Sequence, residues 1–592
     1  MRIAALRTIC LLALLSCTVI GAAASEAADA DPRLSQPVTI QCTDVRLHAA
    51  IDQLSNQTGV KIRCGTASDD WRIRDIPVEV CANEVPLGKL LRAIADATHL
   101  ALISSKVEDE RVYRISRTRA LADELAKYEE QNRQHGYAMA VWEWDCVAAL
   151  KDVPASVMDR VQGVGQKASF AAASEMISAL GPEARDKILG GESIRLSVKD
   201  VSPDLKLLIE KYLRVTNEVA RGFSERAGYD AKVPSDDDFQ RSAVVIRCPP
   251  YGDGERPSIS VRGEGVICEQ TFLGNVNVIA NVAQGYVPKP PESPKIPRAL
   301  ESSFPEKVWQ TKIRLELPKG KDKDSVTFGD ACAAIARATG CSVIAENFQG
   351  HKKRNIARQI FQRFETEGPL GNVISADYML NWTADDKNKV LYCADRIWPM
   401  SHKGLVPEKL TDGLKRKLDN EGADFDDVIP LAGLSKWQIN EWIDQSAELS
   451  KLYGPIAGFD KPLWAFYDSL EPKQKEQARS ARGLRLFRNN VSTLAAILAA
   501  REPEYKLSTG FETRDKWWEE SADTKPVTSI VARLKANETR GPNDQPERRY
   551  ALEFSGKHGT VPFTVGVQFY RPCPIYSAKR EQELRKAGQP AE

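Results

Sequence analysis

The chain lacks a surplus of either charge, and this argues against several classes of partner. Its 592 residues contain 82 Lys and Arg against 81 Asp and Glu, a net charge of +1 with neutral His. Proteins that bind nucleic acid or anionic lipid usually carry a basic excess on the binding domain. We therefore expect no nucleic acid as partner, and the charge balance offers no surplus to recruit anionic lipid.

Long hydrophobic runs are scarce. One apolar run, residues 9–20, follows Arg2 and Arg7 and precedes the small residues of "GAAAS", the pattern of a secretory signal peptide that is cleaved near Ala24. The run is shorter than the ~20 residues that a membrane-spanning helix needs, and no later segment is long and apolar enough. The sequence predicts an exported chain with a signal peptide over 1–24 and no transmembrane segment after its removal.

The tetrad "LLSC" leaves a second interpretation of the N-terminus open. It resembles the lipobox of bacterial lipoproteins, in which the cysteine, here Cys17, is lipidated after cleavage before it. Leu15 is an unusual residue at the second place of that pattern. Cys17 is otherwise one more apolar residue of the signal, so a soluble and a lipid-anchored form are both open.

Cysteine pairs with redox or metal-binding spacing are missing. Ten of the twelve cysteines lie beyond the signal segment, but none forms C-x-x-C and none stands at metal-ligand spacing from a histidine. Cys248 and Cys268 end two predicted strands, "AVVIRC" and "EGVIC", and are our first choice for a disulfide in an oxidising compartment. Free buried thiols are the alternative.

Catalytic motifs are missing as well. No Walker A, H-E-x-x-H or G-x-S-x-G sequence occurs, and no two of the six histidines share a predicted face at ligand spacing. "GVGQKA", 163–168, fits the dinucleotide pattern G-x-G-x-x-A but follows a charged helical segment instead of a buried strand. The Asp triplet 236–238 lacks the alternating ligands of a calcium loop. We predict no catalytic residue, no cofactor and no metal site.

Tryptophans stand close together at two places. Trp142 with Trp144, and the adjacent Trp517 with Trp518, could stack on a sugar or form a partner hot spot. Core packing is the simpler explanation of both pairs, and we expect it.

Short strands alternate with amphipathic helices behind the signal. From Val38 the pattern gives a strand, a helix over about residues 47–58 that stops at Gly59, two strands, a second helix after Pro86 and a hairpin. The second helix has one apolar face, formed by Leu87, Leu90, Leu91 and Ile94.

This order resembles the short N-terminal (STN) domain of secretins and TonB-dependent signal transducers. The resemblance covers 37–118 and rests on "DVRLHAAIDQLSNQTGVKI" and "VPLGKLLRAI". In that family the domain docks: in secretins it faces inner-membrane assembly components, and in the transducers it binds a regulator of transmembrane signalling. We find no secretin-like pore domain, plug or TonB box in the rest of the chain, so the resemblance implies docking alone.

Internal repetition places a second copy of the module near 310–398. "VTFGDACAAIARATGCSV", 326–343, parallels "VRLHAAIDQLSNQTGVKI", 45–62, without a gap, so that Gly340 matches Gly59. Both glycines are predicted helix stops that permit a left-handed turn into a strand.

The segments after the two copies also correspond. Residues 179–209 align with 469–499 at a constant offset of 290, and each contains a proline in the first turn of a predicted helix. A second helix is predicted to begin at Ser202 or Ser492, which gives a helical hairpin in each half. Two apolar strands follow each hairpin. The pattern predicts a duplicated unit of about 270 to 290 residues.

The predicted fold class is α+β and multidomain, with two tandem units. Each unit has an STN-like βαββαββ module followed by a helical and strand α+β module. The proline-rich "GYVPKPPESPKIPR" falls where the duplication requires a linker, and we expect it to be extended and largely solvated. The predicted ranges are signal peptide 1–24, STN-like module 37–118, α+β module 119–284, linker 285–309, second STN-like module 310–398, second α+β module 399–576 and charged tail 577–592.

These patterns predict an exported, non-enzymatic docking or scaffold protein of the bacterial cell envelope, periplasmic or lipid-anchored, with a protein partner of unknown identity. Two alternatives remain. One is an envelope enzyme whose site is assembled from distant residues, and the other is a lipoprotein accessory to a secretion or pilus machine.

Overall fold

The structure, a computed structural model, describes most of the chain between residues 31 and 570. The signal segment 1–24 with Cys17, the first four residues of "GVGQKA", the pair Trp517 and Trp518, and the tail 577–592 lie outside the described residues. The described ranges are 31–67, 69–108, 110–160, 167–226, 233–248, 259–264, 268–271, 273–298, 308, 310–322, 325–347, 350–363, 367–371, 380–385, 389–420, 425–435, 437–439, 461–487, 489–490, 527–540, 546–556 and 559–570.

The fold belongs to the α+β class, with helices packed on several small sheets. Within the described ranges, no helix combines the length and the apolar character that crossing a bilayer requires.

The N-terminal region, 31–118, has the strands and helices that the sequence predicts, with one additional short helix. Its first long helix ends at Gly59, whose φ of 68° is left-handed and whose N–H bonds to the carbonyl of Ser55. The elements are β1 (Pro37–Arg46), α1 (Leu47–Thr58), β2 (Ile62–Cys64), α2 (Trp71–Arg74), β3 (Pro77–Pro86), α3 (Leu87–Ala97), β4 (Ala101–Val107) and β5 (Glu110–Ser116).

Helix α3 shows why this region folds as the pattern predicts. It begins directly after Pro86, and its apolar stripe is buried completely. Burial of each large aliphatic side chain contributes about 1.5 to 3 kcal/mol, so this stripe is a main source of stability for the region. The buried stripe consists of Leu87, Leu90, Leu91 and Ile94.

The next region, 119–298, combines a long helix with a four-stranded antiparallel sheet of order β6-β7-β8-β9. Both predicted helices form and the second follows Ser202, but they are not a direct hairpin: strand β6 separates α7 from α8, because Ile194 and Leu196 alternate along a short edge strand. The elements are α4 (Arg119–Ala149), α5 (Ala155–Met158), α6 (Lys167–Ala179), α7 (Pro182–Leu189), β6 (Ile194–Ser197), α8 (Pro203–Arg226), α9 (Asp236–Gln240), β7 (Ala243–Arg247), β8 (Ser260–Glu264), β9 (Cys268–Thr271) and α10 (Leu273–Val282).

The third region follows the proline-rich segment and contains the second glycine stop. Its first helix starts with a capping box between Thr327 and Asp330 and ends at Gly340, where φ is 67°. The elements are β10 (Lys312–Ile313), α11 (Phe328–Thr339), β11 (Ser342–Glu346), α12 (Gly350–Arg363), β12 (Gly368–Pro369), β13 (Leu380–Asp385), β14 (Val390–Asp395) and α13 (Trp398–Lys403).

The last described part of the chain, up to Tyr570, contains a second four-stranded antiparallel sheet, of order β15-β16-β17-β18. A helix beginning at Pro472 leads into β15, a strand that the predicted hairpin does not contain; Ser492, the predicted start of its second helix, lies outside the described residues. The elements are α14 (Glu408–Asn420), α15 (Phe425–Val428), α16 (Lys461–Asp468), α17 (Pro472–Arg479), β15 (Leu484–Phe487), β16 (Val527–Arg540), β17 (Pro546–Gly556) and β18 (Gly559–Tyr570).

The first and third regions share one five-stranded sheet, of order β1-β3-β11-β14-β13. Strands β3 and β11 pair antiparallel, with Val80 opposite Ile344 and Val78 opposite Glu346. We call this pairing the seam. The sequence predicted both strands but not their pairing, which joins residues more than 250 positions apart.

A buried carboxylate holds one face of the seam. Glu79 accepts a hydrogen bond from the backbone N–H of Asp44 at 2.7 Å and another from the side-chain amide of Asn347. Gly329, in the first turn of α11, lies so close that a Cβ there would be 2.6 Å from Glu79 Oε2 and 2.6 Å from Thr43 Cβ. The close approach of α11 to the sheet therefore requires a residue without a side chain at 329.

The predicted disulfide between Cys248 and Cys268 is wrong. Cys248 is a free, buried thiol. Cys268 is opposite Gly263, which is opposite Val244. Cys248 therefore lies ~13 Å further along the strand direction, whereas bridged Cα atoms stand within ~7 Å.

The proline-rich segment is extended and mostly exposed over its described part, which ends at Arg298. Two indole N–H groups hold it: Trp142 donates to the carbonyl of Pro288 and Trp398 to that of Pro297, each at 2.8 Å. The segment is thus attached to both regions that it connects.

We expect Gly329→Ala to lower the free energy of unfolding by about 1 to 3 kcal/mol, the usual cost of overpacking. The added methyl group meets the Glu79 carboxylate and Thr43 at distances that force one of them to move. Chemical denaturation of purified protein measures the change.

The matched control is Gly413→Ala in α14, where an added Cβ has no atom within 4 Å. This control should gain up to about 1 kcal/mol from helix propensity. A gain of equal size in Gly329→Ala would show that α11 does not pack against the sheet as described.

Candidate functional site

A cluster of histidine, glutamate and tryptophan side chains lies where the first region meets the third. His99, directly after α3, stacks on Trp398 with ring centroids 4.3 Å apart and an angle of 12°. Glu346, the last residue of β11, bonds to Nε2 of His402 and lies 3.9 Å from Nε2 of His99. All of these side chains are nearly or fully buried.

Burial decides the charge state of His99. It lowers the pKa of this imidazole from 6.5 to about 4, and the nearby carboxylate of Glu346 opposes the shift only in part. His99 is therefore neutral at neutral pH, and it contributes packing against the indole of Trp398 rather than a charge.

A second buried carboxylate supports the cluster. Asp395 accepts from the backbone N–H of Ile397 at 2.9 Å and from the hydroxyl of Ser401 at 2.7 Å. These bonds fix the first turn of α13, which carries Trp398 and His402. The cluster is therefore a packed and hydrogen-bonded joint between the two regions.

A polar cleft of about 250 Å³ opens beside this joint. It lies between the end of α3, the last described residue of the proline-rich segment, and the hairpin of β13 with β14. Its walls are Asp96, His99, Leu100, Arg298, Thr383, Asp385 and Tyr392.

The cleft carries carboxylates from both regions. Burial raises the pKa of Tyr392 to about 12, so this phenol remains a neutral hydrogen-bond donor. The Arg298 guanidinium donates through Nε to Glu124 at 3.2 Å, and this carboxylate, which is not part of the cleft wall, partly balances its positive charge. Asp96 and Asp385 leave the cleft suited to a hydrogen-bond donor or a cationic side chain.

Strand β4 begins at the edge of the cleft, immediately after Leu100. The hydrogen bonds of its neighbour β5 show which way the backbone groups of β4 point. Tyr113 of β5 donates its N–H to the carbonyl of Lys61, and Gly65 donates to the carbonyl of Ile115, each at 2.9 Å. The odd-numbered residues of this part of β5 therefore direct their backbone groups toward β2.

The even-numbered residues of β5 consequently face β4, where Arg114 pairs with Ile103. Backbone groups alternate in direction along a strand, so Ile103 directs its N–H and C=O toward β5. Leu102 and Lys106, at even-numbered positions of β4, direct theirs to the opposite edge. Among the described strands, β4 pairs only with β5.

Several residues that the sequence singled out lie in the described part of the chain. Trp142 and Trp144 lie in the core around α4, as core packing requires, and Asp236, Asp237 and Asp238 form the capped first turn of α9. The thiols of four buried cysteines have a pKa of about 12 because of burial, so these residues are poor nucleophiles: Cys64, Cys81, Cys146 and Cys248.

Sequence reasoning missed the joint and the cleft. His99 and His402 stand 303 positions apart, so no spacing rule connects them. One signal was available: "SVIAE" is an apolar strand that ends in a glutamate, and a buried glutamate needs a partner.

Comparison with known proteins gave no matching family model, no similar curated protein and no similar solved structure. Inferences about function therefore rest on the geometry and sequence of this chain.

We expect the free energy of unfolding to fall as the pH is lowered from about 6.5 to 4. The unfolded chain binds a proton at His99 that the folded chain, with a pKa of about 4 instead of 6.5, does not bind. The loss from this residue amounts to about 3 kcal/mol at the lower end.

In His99→Gln, the dependence of unfolding free energy on pH should weaken by that amount, measured by denaturant titration at several pH values. His135→Gln, on α4, is the control for removal of a histidine. If His99→Gln and His135→Gln keep the same pH dependence, His99 is not buried as a neutral imidazole.

Proposed function

We propose that this chain is an exported, non-enzymatic docking protein of the bacterial cell envelope, and that a strand of its partner pairs with β4. The outward backbone groups of Leu102 and Lys106 are the observation that carries the proposal. Partner strands commonly add to such an edge, where main-chain hydrogen bonds give affinity and neighbouring pockets give specificity.

Strand β4 fits this role better than the edges of the five-stranded sheet. Its register with β5 runs without a shift from Ala101 to Val107. Strand β1 starts with Pro37 and has two register shifts, features that protect an edge from pairing. At the other edge, the first three residues of β13 are buried.

The cleft can select which partner segment pairs with β4. It lies at the start of β4 and carries Asp96 and Asp385, so a basic or hydrogen-bond-donating side chain next to the pairing strand would fit it. The partner that we propose therefore presents an extended segment with Lys or Arg at this position.

Matching strand orders support the tandem construction that is part of the proposal. In the first region β2 pairs parallel with β5, which pairs antiparallel with β4; in the third, β11, β14 and β13 repeat this arrangement. Strands β1 with β3, and β10 with β12, form the accompanying antiparallel pairs. The similar left-handed stops at Gly59 and Gly340 agree with two STN-like modules.

The α+β regions repeat as well. Helix α7 and strand β6 lie 290 positions before α17 and β15, and each strand begins a four-stranded antiparallel sheet that follows chain order. This supports two tandem units, each an STN-like module followed by an α+β module. The seam between β3 and β11 is the point at which the modules combine.

Lys106→Pro tests docking at β4. The N–H of Lys106 points away from β5, so proline removes an edge donor without removing a β4 to β5 hydrogen bond. A photo-crosslinking residue at the exposed Val107 should give a discrete partner adduct in cells that carry the natural chain, and Lys106→Pro should abolish it.

Lys106→Ala keeps the N–H and should keep the adduct. A crosslinker at Leu207, an exposed apolar residue of α8, controls for nonspecific capture. An adduct that survives Lys106→Pro while the melting temperature is unchanged would refute docking at this edge.

Mass spectrometry of the mature N-terminus tests export. A free terminus near Ser25 in the envelope fraction is the expected result, and an acylated Cys17 would instead support a lipoprotein accessory to a secretion or pilus machine. Retention of Met1 on the stable protein would contradict export altogether.

A further inference from the structure

We propose that His48, Asp75 and Glu408 bind a divalent transition-metal ion of the zinc class, between the N-terminal region and α14. Each residue offers one ligand atom, and these atoms all lie within 4.8 Å of one another. This site is separate from the cleft and from β4, and the inference does not depend on the docking proposal.

The tautomer of His48 leaves one ring nitrogen able to bind a metal ion. Nδ1 of this imidazole lies 3.1 Å from the carbonyl oxygen of Arg74, which can only accept, so Nδ1 carries the hydrogen. In the neutral ring Nε2 then presents a lone pair, as in metal-binding histidines whose other nitrogen donates to a carbonyl.

The lone pair of Nε2 faces a carboxylate. Nε2 of His48 and Oε2 of Glu408 are 3.5 Å apart, and both are acceptors when the ring is neutral. Two acceptors at this distance repel each other unless a proton or a metal ion lies between them. Ligand atoms around a tetrahedral zinc ion stand ~3.3 to 3.5 Å apart, as follows from bond lengths of ~2.0 to 2.2 Å.

Asp75 supplies the third ligand from a fixed position. Its side chain is 10% exposed, and Oδ2 accepts from the backbone N–H of Glu408 at 2.8 Å. Oδ1 lies 3.8 Å from Nδ1 of His48. The His48 and Glu408 side chains are partly exposed and so have room to adjust around a metal ion, whereas Asp75 is held in place.

The donor set selects the metal. One imidazole nitrogen and two carboxylate oxygens suit Zn²⁺, whereas Ca²⁺ and Mg²⁺ prefer oxygen ligands alone. Three protein ligands leave a fourth position of a tetrahedral ion for water.

Arg46 is the competing cation. Its Nε lies 4.0 Å from Oε1 of Glu408, and Nη1 donates to the carbonyl of Asp75 at 3.0 Å. Without a metal, Arg46 together with a protonated His48 would neutralise the two carboxylates. The experiment must therefore separate metal binding from an ion pair of protein groups alone.

The test uses the purified full chain after EDTA treatment and dialysis. Isothermal titration with Zn²⁺ should show one saturable site that Ca²⁺ does not occupy, and the melting temperature should rise with Zn²⁺ concentration. Co²⁺ at the same site should give visible absorption bands of a nitrogen and oxygen ligand field. Loss of a second-shell residue usually weakens metal affinity about 10 to 100-fold, so Glu408→Gln and His48→Gln should each lose at least about tenfold.

Glu408→Gln is the main variant, because its side chain is one-third exposed and the amide keeps the size and the backbone contacts. Its unfolding curve in EDTA checks the fold. His135→Gln is the control and should bind Zn²⁺ as the natural chain does. The proposal is overturned if the natural chain binds no Zn²⁺ saturably, or if folded Glu408→Gln and His48→Gln bind it as tightly as the control.

Discussion

The pairing of β3 with β11 is the constraint on which the rest of the structure depends. Side chains alternate across a strand, so the seam has two faces. Val80 and Ile344 pack into the N-terminal core, and Cys81 and Val343 pack into the core around α11. One sheet therefore separates two cores that belong to distant parts of the chain.

Each face of the seam also carries one buried carboxylate. Glu79 and Glu346 occupy neighbouring pairs of the register and so point to opposite faces. Glu79 is held by groups from both strands' regions, and Glu346 contacts His99 from one region and His402 from the other. A slip by one residue would move both carboxylates to the wrong face, away from their partners, so they specify the register.

The sequence predicted what is encoded locally. A glycine that must adopt positive φ, or a row of leucines at helical spacing, depends on neighbours within a few residues, so Gly59, Gly340 and the buried face of α3 could be read directly. Strand β6 was missed because four residues give too little alternation to oppose a helical reading. The predicted disulfide between Cys248 and Cys268 was wrong because the sequence at the end of a strand does not reveal which residues of the neighbouring strands lie opposite each other.

The joint, the cleft and the His48 cluster could not be predicted, because each brings together residues from distant segments. Their geometry depends on the seam, and the seam depends on which apolar strand pairs with which. "VEVCA" and "SVIAE" are both good buried strands, and no single-sequence pattern selects one as the partner of the other. The glutamate in each strand is informative only once the pairing is known.

The seam also lies apart from the edge at which we propose docking. Pairing β3 with β11 covers strand edges at which the two regions would otherwise be open. The buried carboxylates and histidines stabilise the contact between the two regions. Strand β4 belongs to a different sheet, three strands wide, whose order β2-β5-β4 leaves its outer edge outside the seam. A partner strand at that edge would form hydrogen bonds without disturbing Glu79, Glu346 or the register that they fix. The edge at which we propose docking is therefore separate from the centre that the seam holds together.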